Sequence, residues 1–198
     1  MKKFELTTEF ITNAFGKKLF RIKALVEFGD VKAGELGGYV EKEGNVSQAG
    51  NAWVYGDARV SGDARVSGNA WVYGNAWVYG DARVYGDAWV SGDARVYGNA
   101  EVSGNAEVSG NARVCGNAWV YGNADYALVQ GFGTEFRCTT FYRGKNKKIM
   151  VNCGCFHGDL EGFRKQVKET RNGKIAKEYL MIADLMEYHF TSEDSSDE

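Results

Sequence analysis

Asn51-Ala52-Trp53-Val54-Tyr55-Gly56-Asp57-Ala58-Arg59-Val60-Ser61-Gly62 holds two copies of one six-residue unit, Asn/Asp-Ala-x-Val-x-Gly. The unit runs without a break from Asn51 to Gly122. Its valines stand at 54, 60, 66, 72, 78, 84, 90, 96, 102, 108, 114 and 120, twelve copies in all. Within a unit Ala52 and Val54 point one way, and Trp53 and Tyr55 the other. That is the two-residue period of a strand with one buried face. The following Gly-Asn or Gly-Asp pair tolerates positive φ and turns the chain. Glycine at every sixth position, together with the alternation, excludes a helix. One unit cannot bury its own Ala/Val face, so neighbours must stack over it. Identical units give the chain no reason to reverse, and a parallel β-solenoid is left.

Aliphatic residues at 54 and 60 and small ones at 58 and 64, continued through all twelve units, resemble the hexapeptide-repeat family. The resemblance implies a left-handed parallel β-helix of triangular cross-section. The left hand comes from the resemblance, because the general preference is for right-handed crossovers. Three strands per turn then place each residue over the one eighteen positions later. Twelve units make about four regular coils, roughly 19 Å tall at about 4.8 Å per coil. The axis is filled by Ala and Val, each buried Val contributing about 1.5–3 kcal/mol of gross burial.

The variable slots fall on three faces. The first stacks Trp53, Trp71, Trp89 and Glu107, flanked by Tyr55, Tyr73, Ser91 and Ser109. The second stacks Arg59, Trp77, Arg95 and Arg113, flanked by Ser61, Tyr79, Tyr97 and Cys115. The third stacks Arg65, Arg83, Glu101 and Trp119. All five Trp of the chain occupy these outward slots. Trp53, Tyr55, Trp71, Tyr73 and Trp89 form an aromatic patch expected to meet another copy of the chain or a partner protein. Arg59, Trp77, Tyr79, Arg95, Tyr97 and Arg113 form a candidate ligand face. Arg beside aromatic rings suits a nucleotide or a phosphate-bearing ligand; it also suits a solvated face in which Arg simply covers Trp.

The rest of the chain frames this block. Residues 1–50 carry two strands, Phe4–Phe10 and Leu19–Val26, and an irregular first coil marked by Val40 and Val46. A solenoid end exposes apolar core and open strand edges, so this segment is expected to be the cap. The repeat block extends over 51–133 and fades between Asn123 and Gly133. Residues 134–190 are expected to form a small ββαα domain: a hairpin of Phe136–Arg143 and Lys148–Phe156, then two amphipathic helices. The acidic stretch 191–198 is expected to be a disordered tail.

The formal net charge of −2 supports neither a nucleic-acid-binding surface nor an acidic mimic of one. No apolar run is long enough to span a membrane, and no secretory leader opens the chain. A cytoplasmic protein with reduced thiols is expected. The runs Leu19-Phe20-Arg21-Ile22-Lys23-Ala24-Leu25, Gly34-Glu35-Leu36-Gly37-Gly38-Tyr39-Val40-Glu41, Cys153-Gly154-Cys155-Phe156 and Leu160-Glu161-Gly162-Phe163 resemble phage and prophage proteins of unassigned function. That resemblance implies a phage-borne accessory protein in the host cytoplasm, with inhibition of a host defence protein as one concrete form.

Hexapeptide-repeat relatives include acyltransferases that work as trimers with a histidine as general base. This chain has no histidine within Asn51–Gly122 and no loop interrupting the units; its two histidines are His157 and His189. The expectation is therefore a non-enzymatic, oligomeric binding or scaffold protein, trimer or dimer, without a cofactor. An acyltransferase and a nucleotide-sequestering protein are the alternatives. Cys138, Cys153, Cys155 and His157 are the one candidate zinc set, with 153, 155 and 157 sharing a strand face. The competing expectation is buried thiols with no metal. His189 is expected on the apolar stripe of the last helix.

Overall fold

The computed structural model describes residues 2–191. The acidic stretch from 192 to 198 lies outside the described residues. The chain divides into two compact units, one comprising Met1–Asn117 with Tyr121–Asn123, the other Ala118–Val120 with Ala124–Glu198.

The first unit is a parallel β-solenoid capped by an antiparallel hairpin. Its strands pair at the eighteen-residue interval. One ladder runs through Tyr39, Arg59, Trp77, Arg95 and Arg113. A second runs through Trp53, Trp71, Trp89 and Glu107. A third runs through Arg65, Arg83 and Glu101, and Val46 bridges to Val66 at its start. The repeat alanines and valines are fully buried. The axis is thus a core of buried Ala and Val side chains.

Three cap strands lead into the first ladder. Strand β1 (Phe4–Thr12) pairs antiparallel with β2 (Lys18–Ala24), and β2 pairs with β3 (Leu36–Val40). Strand β3 then lies parallel to Arg59–Val60, with Val40 opposite Val60. Gly37 is required by close approach: a Cβ there would sit 2.5 Å from Ile22 Cγ1 and 2.7 Å from Trp53 Cζ2.

Hydrogen-bond polarity explains the chemistry of the cap. The N–H groups of the outward-slot residues donate toward the following coil, as in Trp53 N to Ala70 O and Tyr55 N to Val72 O. The alanine, valine and glycine carbonyls that accept these bonds face the preceding coil, and in the first full coil some of them have no strand before them. Lys3 Nζ donates to Gly50 O at 3.2 Å and to Ala52 O at 2.8 Å. Asn45 Nδ2 donates to Gly62 O at 3.1 Å and to Ala64 O at 2.8 Å. These side chains replace the missing backbone donors, as buried carbonyls demand. At the other end the need reverses, and Asn123 Oδ1 accepts from Glu107 N at 2.7 Å.

Lys3 is 4% exposed, and its ammonium lies 4.6 Å from the centroid of the Phe28 ring. Burial pulls its pKa down from 10.5 to about 8. The unfolded chain then binds more protons between those two values, so stability rises with pH across that window. Wild type should gain stability from pH about 8 to 10.5 relative to Lys3→Met, read from urea midpoints. Parallel curves for the two proteins would show that Lys3 titrates normally.

The second unit is an antiparallel four-stranded sheet with two helices. The sheet order follows the chain: Tyr126–Phe132, Arg137–Arg143, Ile149–Cys153, Phe156–Asp159. Helix α1 spans Leu160–Thr170 and helix α2 spans Gly173–Thr191. Asp159 caps α1 by accepting from Gly162 N at 2.9 Å, a bond that also holds its carboxyl below the ordinary range. Phe141, Val151, Phe163, Tyr179, Ile182 and Met186 form the core. The expected two-stranded hairpin is therefore a four-stranded sheet. The segment Tyr126–Phe132 is a strand where a fading repeat is expected, and the expected single strand Lys148–Phe156 is divided, Ile149–Cys153 ending before a separate strand Phe156–Asp159 begins. The break in that strand is Gly154, at φ 61°, which turns the chain back.

Candidate functional site

The first face of the solenoid carries a groove of about 350 Å³ lined by Asp30, Tyr55, Trp71, Tyr73 and Trp89. The parallel register sets Trp89 directly beside Trp71. Tyr73 meets Trp89 edge-to-face, with ring centroids 6.3 Å apart at 79°. Trp89 is 48% exposed and Tyr55 44%, while Trp71 and Tyr73 are half-buried. Ser91 continues the flanking column after Tyr73 and is buried.

Trp53 is a correction. It was expected at the exposed start of this patch, yet it is fully buried. Phe4 packs on it at 5.9 Å and Phe28 at 5.3 Å, both edge-to-face. Its slot points away from the axis as the repeat requires, but the cap lies over it. Its indole N–H has no hydrogen-bond partner, so apolar contact alone holds it.

Asp30 belongs to this site and was not anticipated. It sits in a tight turn, Phe28 to Val31, closed by Val31 N to Phe28 O at 2.9 Å and by Phe28 N to Val31 O at 3.1 Å. Phe28 anchors the turn on Trp53, and Val31 is buried. The same contacts that cover Trp53 thus set a carboxylate at the groove. A loop residue brought in from the cap carries no repeat signature that could have revealed it.

The second face brings its predicted residues together differently. Arg59 and Arg95 both stack on Trp77, at 4.8 and 5.2 Å from the ring to the guanidinium carbon. Tyr79 and Tyr97 stack on each other at 4.9 Å, within 2° of parallel. Burial pushes the Tyr79 phenol up. Arg113 continues the ladder beside Arg95. The rings here are engaged by their own neighbours. The cap hairpin adds Asn13, Phe15 and Leu19 beside Arg59 and Trp77.

The zinc set is also corrected. Cys153 ends one strand and pairs with Phe156 on the next; Cys155 lies in the turn and is exposed. His157 stands opposite Asn152, so it projects from the sheet face opposite to that of Cys153. Thr139 Oγ1 bonds Cys153 Sγ at 3.1 Å, and His157 Nε2 lies 3.1 Å from Tyr142 Oη. No cluster of three metal-binding side chains occurs among the described residues. His189, expected on the buried stripe, is exposed beside Phe190.

Two further features emerge in the second unit. A cavity of about 150 Å³ is bordered by Glu135, Cys153, Cys155, Phe156 and Arg171. Helix α2 leaves Met181, Leu185 and Tyr188 well exposed. Their four- and three-residue spacing is a second apolar stripe, legible in the sequence beside the buried one. No helix among the described residues is long and apolar enough to cross a membrane.

The repeat is similar to the family described as YdcK Beta solenoid repeat, whose pattern matches residues 52–67, 58–74, 64–80, 76–92 and 106–122. Tyr55, Trp71, Tyr73 and Trp89 all fall within the matched segments; Asp30 does not. No curated protein matches the chain.

Proposed function

We propose that this chain is a non-enzymatic binding and scaffold protein that works through its outer faces. The Tyr55/Trp71/Tyr73/Trp89 face docks it to further copies of itself, as a trimer or dimer. The observation that carries this reading is the contrast between the two sides of the coil. The axis is packed solid with Ala and Val, whereas indole and phenol rings stand exposed around a groove. Contiguous apolar surface of that kind marks an interaction site. The likeness of the flanks to phage proteins supports a host cytoplasmic protein as a further partner.

The Arg59/Trp77/Arg95 face does not favour nucleotide sequestration. Guanidinium groups already occupy the Trp77 ring, and Tyr79 is stacked on Tyr97. A base would have to displace them. Acyl transfer draws no support from the coil, which contributes no histidine.

The test is the solution mass of Trp71→Ser/Trp89→Ser. Neither substitution removes a backbone ladder bond, so the circular dichroism of the solenoid should persist. Light scattering should report a lower mass than wild type. An unchanged mass with an intact fold would remove this face from the assembly.

A further inference from the structure

The geometry points to the Tyr55/Trp71/Tyr73/Trp89 groove, with Asp30 at its edge, as a binding site for a small free quaternary ammonium ion. The inference rests on the reading that this face is a recognition surface, and it names a ligand that competes with a second copy of the chain for the same rings.

Three observations combine. Four aromatic rings line one groove, and the planes of Tyr73 and Trp89 stand at 79° to each other. Rings set at an angle present faces in different directions around a shared space. Each face carries negative quadrupole potential, and several around one space hold an alkylated ammonium in an aromatic cage. Second, the one charged residue lining the groove is an acid. Among the described residues Asp30 makes no ion pair or side-chain hydrogen bond, while no Lys or Arg lines the groove. A carboxylate beside aromatic faces selects for positive charge, and it would disfavour a phosphate or carboxylate ligand. Third, the volume of about 350 Å³ lies near the lower end of ordinary ligand pockets, roughly 300–1,000 Å³.

A trimethylammonium group fits this chemistry better than a primary amine does. Its methyl groups bury against the rings, and it carries no N–H donors that would need acceptors. The groove offers few acceptors beyond Asp30. The second solenoid face provides the contrast: there the protein's own Arg59 and Arg95 already occupy Trp77. On the first face no cation among the described residues fills that role.

The test is titration of the full chain with choline at constant ionic strength, followed by calorimetry and tryptophan fluorescence. The reference ligand is 3,3-dimethyl-1-butanol, the same shape with carbon in place of the charged nitrogen. Choline should bind saturably and the neutral alcohol at least about tenfold more weakly, the size expected when cation–π attraction is lost. Trp71→Leu keeps apolar bulk and should weaken choline about tenfold. Asp30→Asn, on a surface turn, should weaken it several-fold and leave the fold unchanged. Equal affinity for choline and the alcohol would overturn the inference, as would the absence of a saturable choline response. A trimethyllysine peptide binding where choline does not would overturn the small-ion assignment. The mass measurement separates this idea from the docking reading. Choline binding with an unchanged mass in Trp71→Ser/Trp89→Ser sinks docking alone. A lower mass without choline binding sinks the cation site alone.

Discussion

Trp53→Ala should cost about 3–5 kcal/mol of stability, the range for truncating a large buried aromatic. Trp53 is among the largest fully buried side chains of the chain. Its removal opens space bounded by Phe4, Phe28 and the Gly37 backbone. These neighbours cannot close the gap together, because β3, which carries Gly37, is pinned to the coil by its ladder with Arg59–Val60. The ring loses no hydrogen bond, since its N–H makes none, so the whole cost is packing. Urea denaturation reports it directly. Trp89→Ala, on the same ladder two coils on, should change stability far less because that ring is half in solvent. Similar losses for the two would show that the cap does not cover Trp53.

Gly86→Ala should destabilise by about 2–3 kcal/mol, combining left-handed backbone cost with a clash against the coil below. Gly86 has φ 72°, and an added Cβ would lie 3.0 Å from both N and O of Gly104. Those are backbone atoms of a stacked corner and cannot rotate away. Gly56→Ala is the internal control. It shares the positive φ, 62°, but the nearest atom to its Cβ is 3.6 Å away. It should lose only the conformational part, about 1–2 kcal/mol. The difference between the two melting curves isolates the contact between coils. Equal losses would mean that stacking at the corner contributes nothing.

The ladders were legible because strict spacing leaves one arrangement. Valine every six residues, read in turns of three, places Trp71 beside Trp89 and Arg59 beside Trp77, and both pairs form. Repetition encodes neighbours along the coil and is silent about what covers the coil. Phe4 and Phe28 reach Trp53 from the cap, and nothing in the hexamer distinguishes that tryptophan from the next. Asp30 escaped notice for the same reason. In the second unit local signals conflicted. Tyr126-Ala127-Leu128-Val129 lacks the alternation that announces a half-buried strand. Gly154 lies between two cysteines whose spacing suggested a continuous one. The helices, with a capping Asp159 and a clear apolar period, were easier.

The eighteen-residue pairing interval makes insertions and deletions act as rotations. Removing one hexamer from the middle of the block would leave every later valine pointing inward, so the core would tolerate it. Every later surface residue would move to the adjacent wall, and Trp89 would no longer lie beside Trp71. Removing three hexamers would shorten the column and restore the original walls. A change of copy number in threes would therefore keep the surface pattern, and a single change would rewrite it without disturbing the interior.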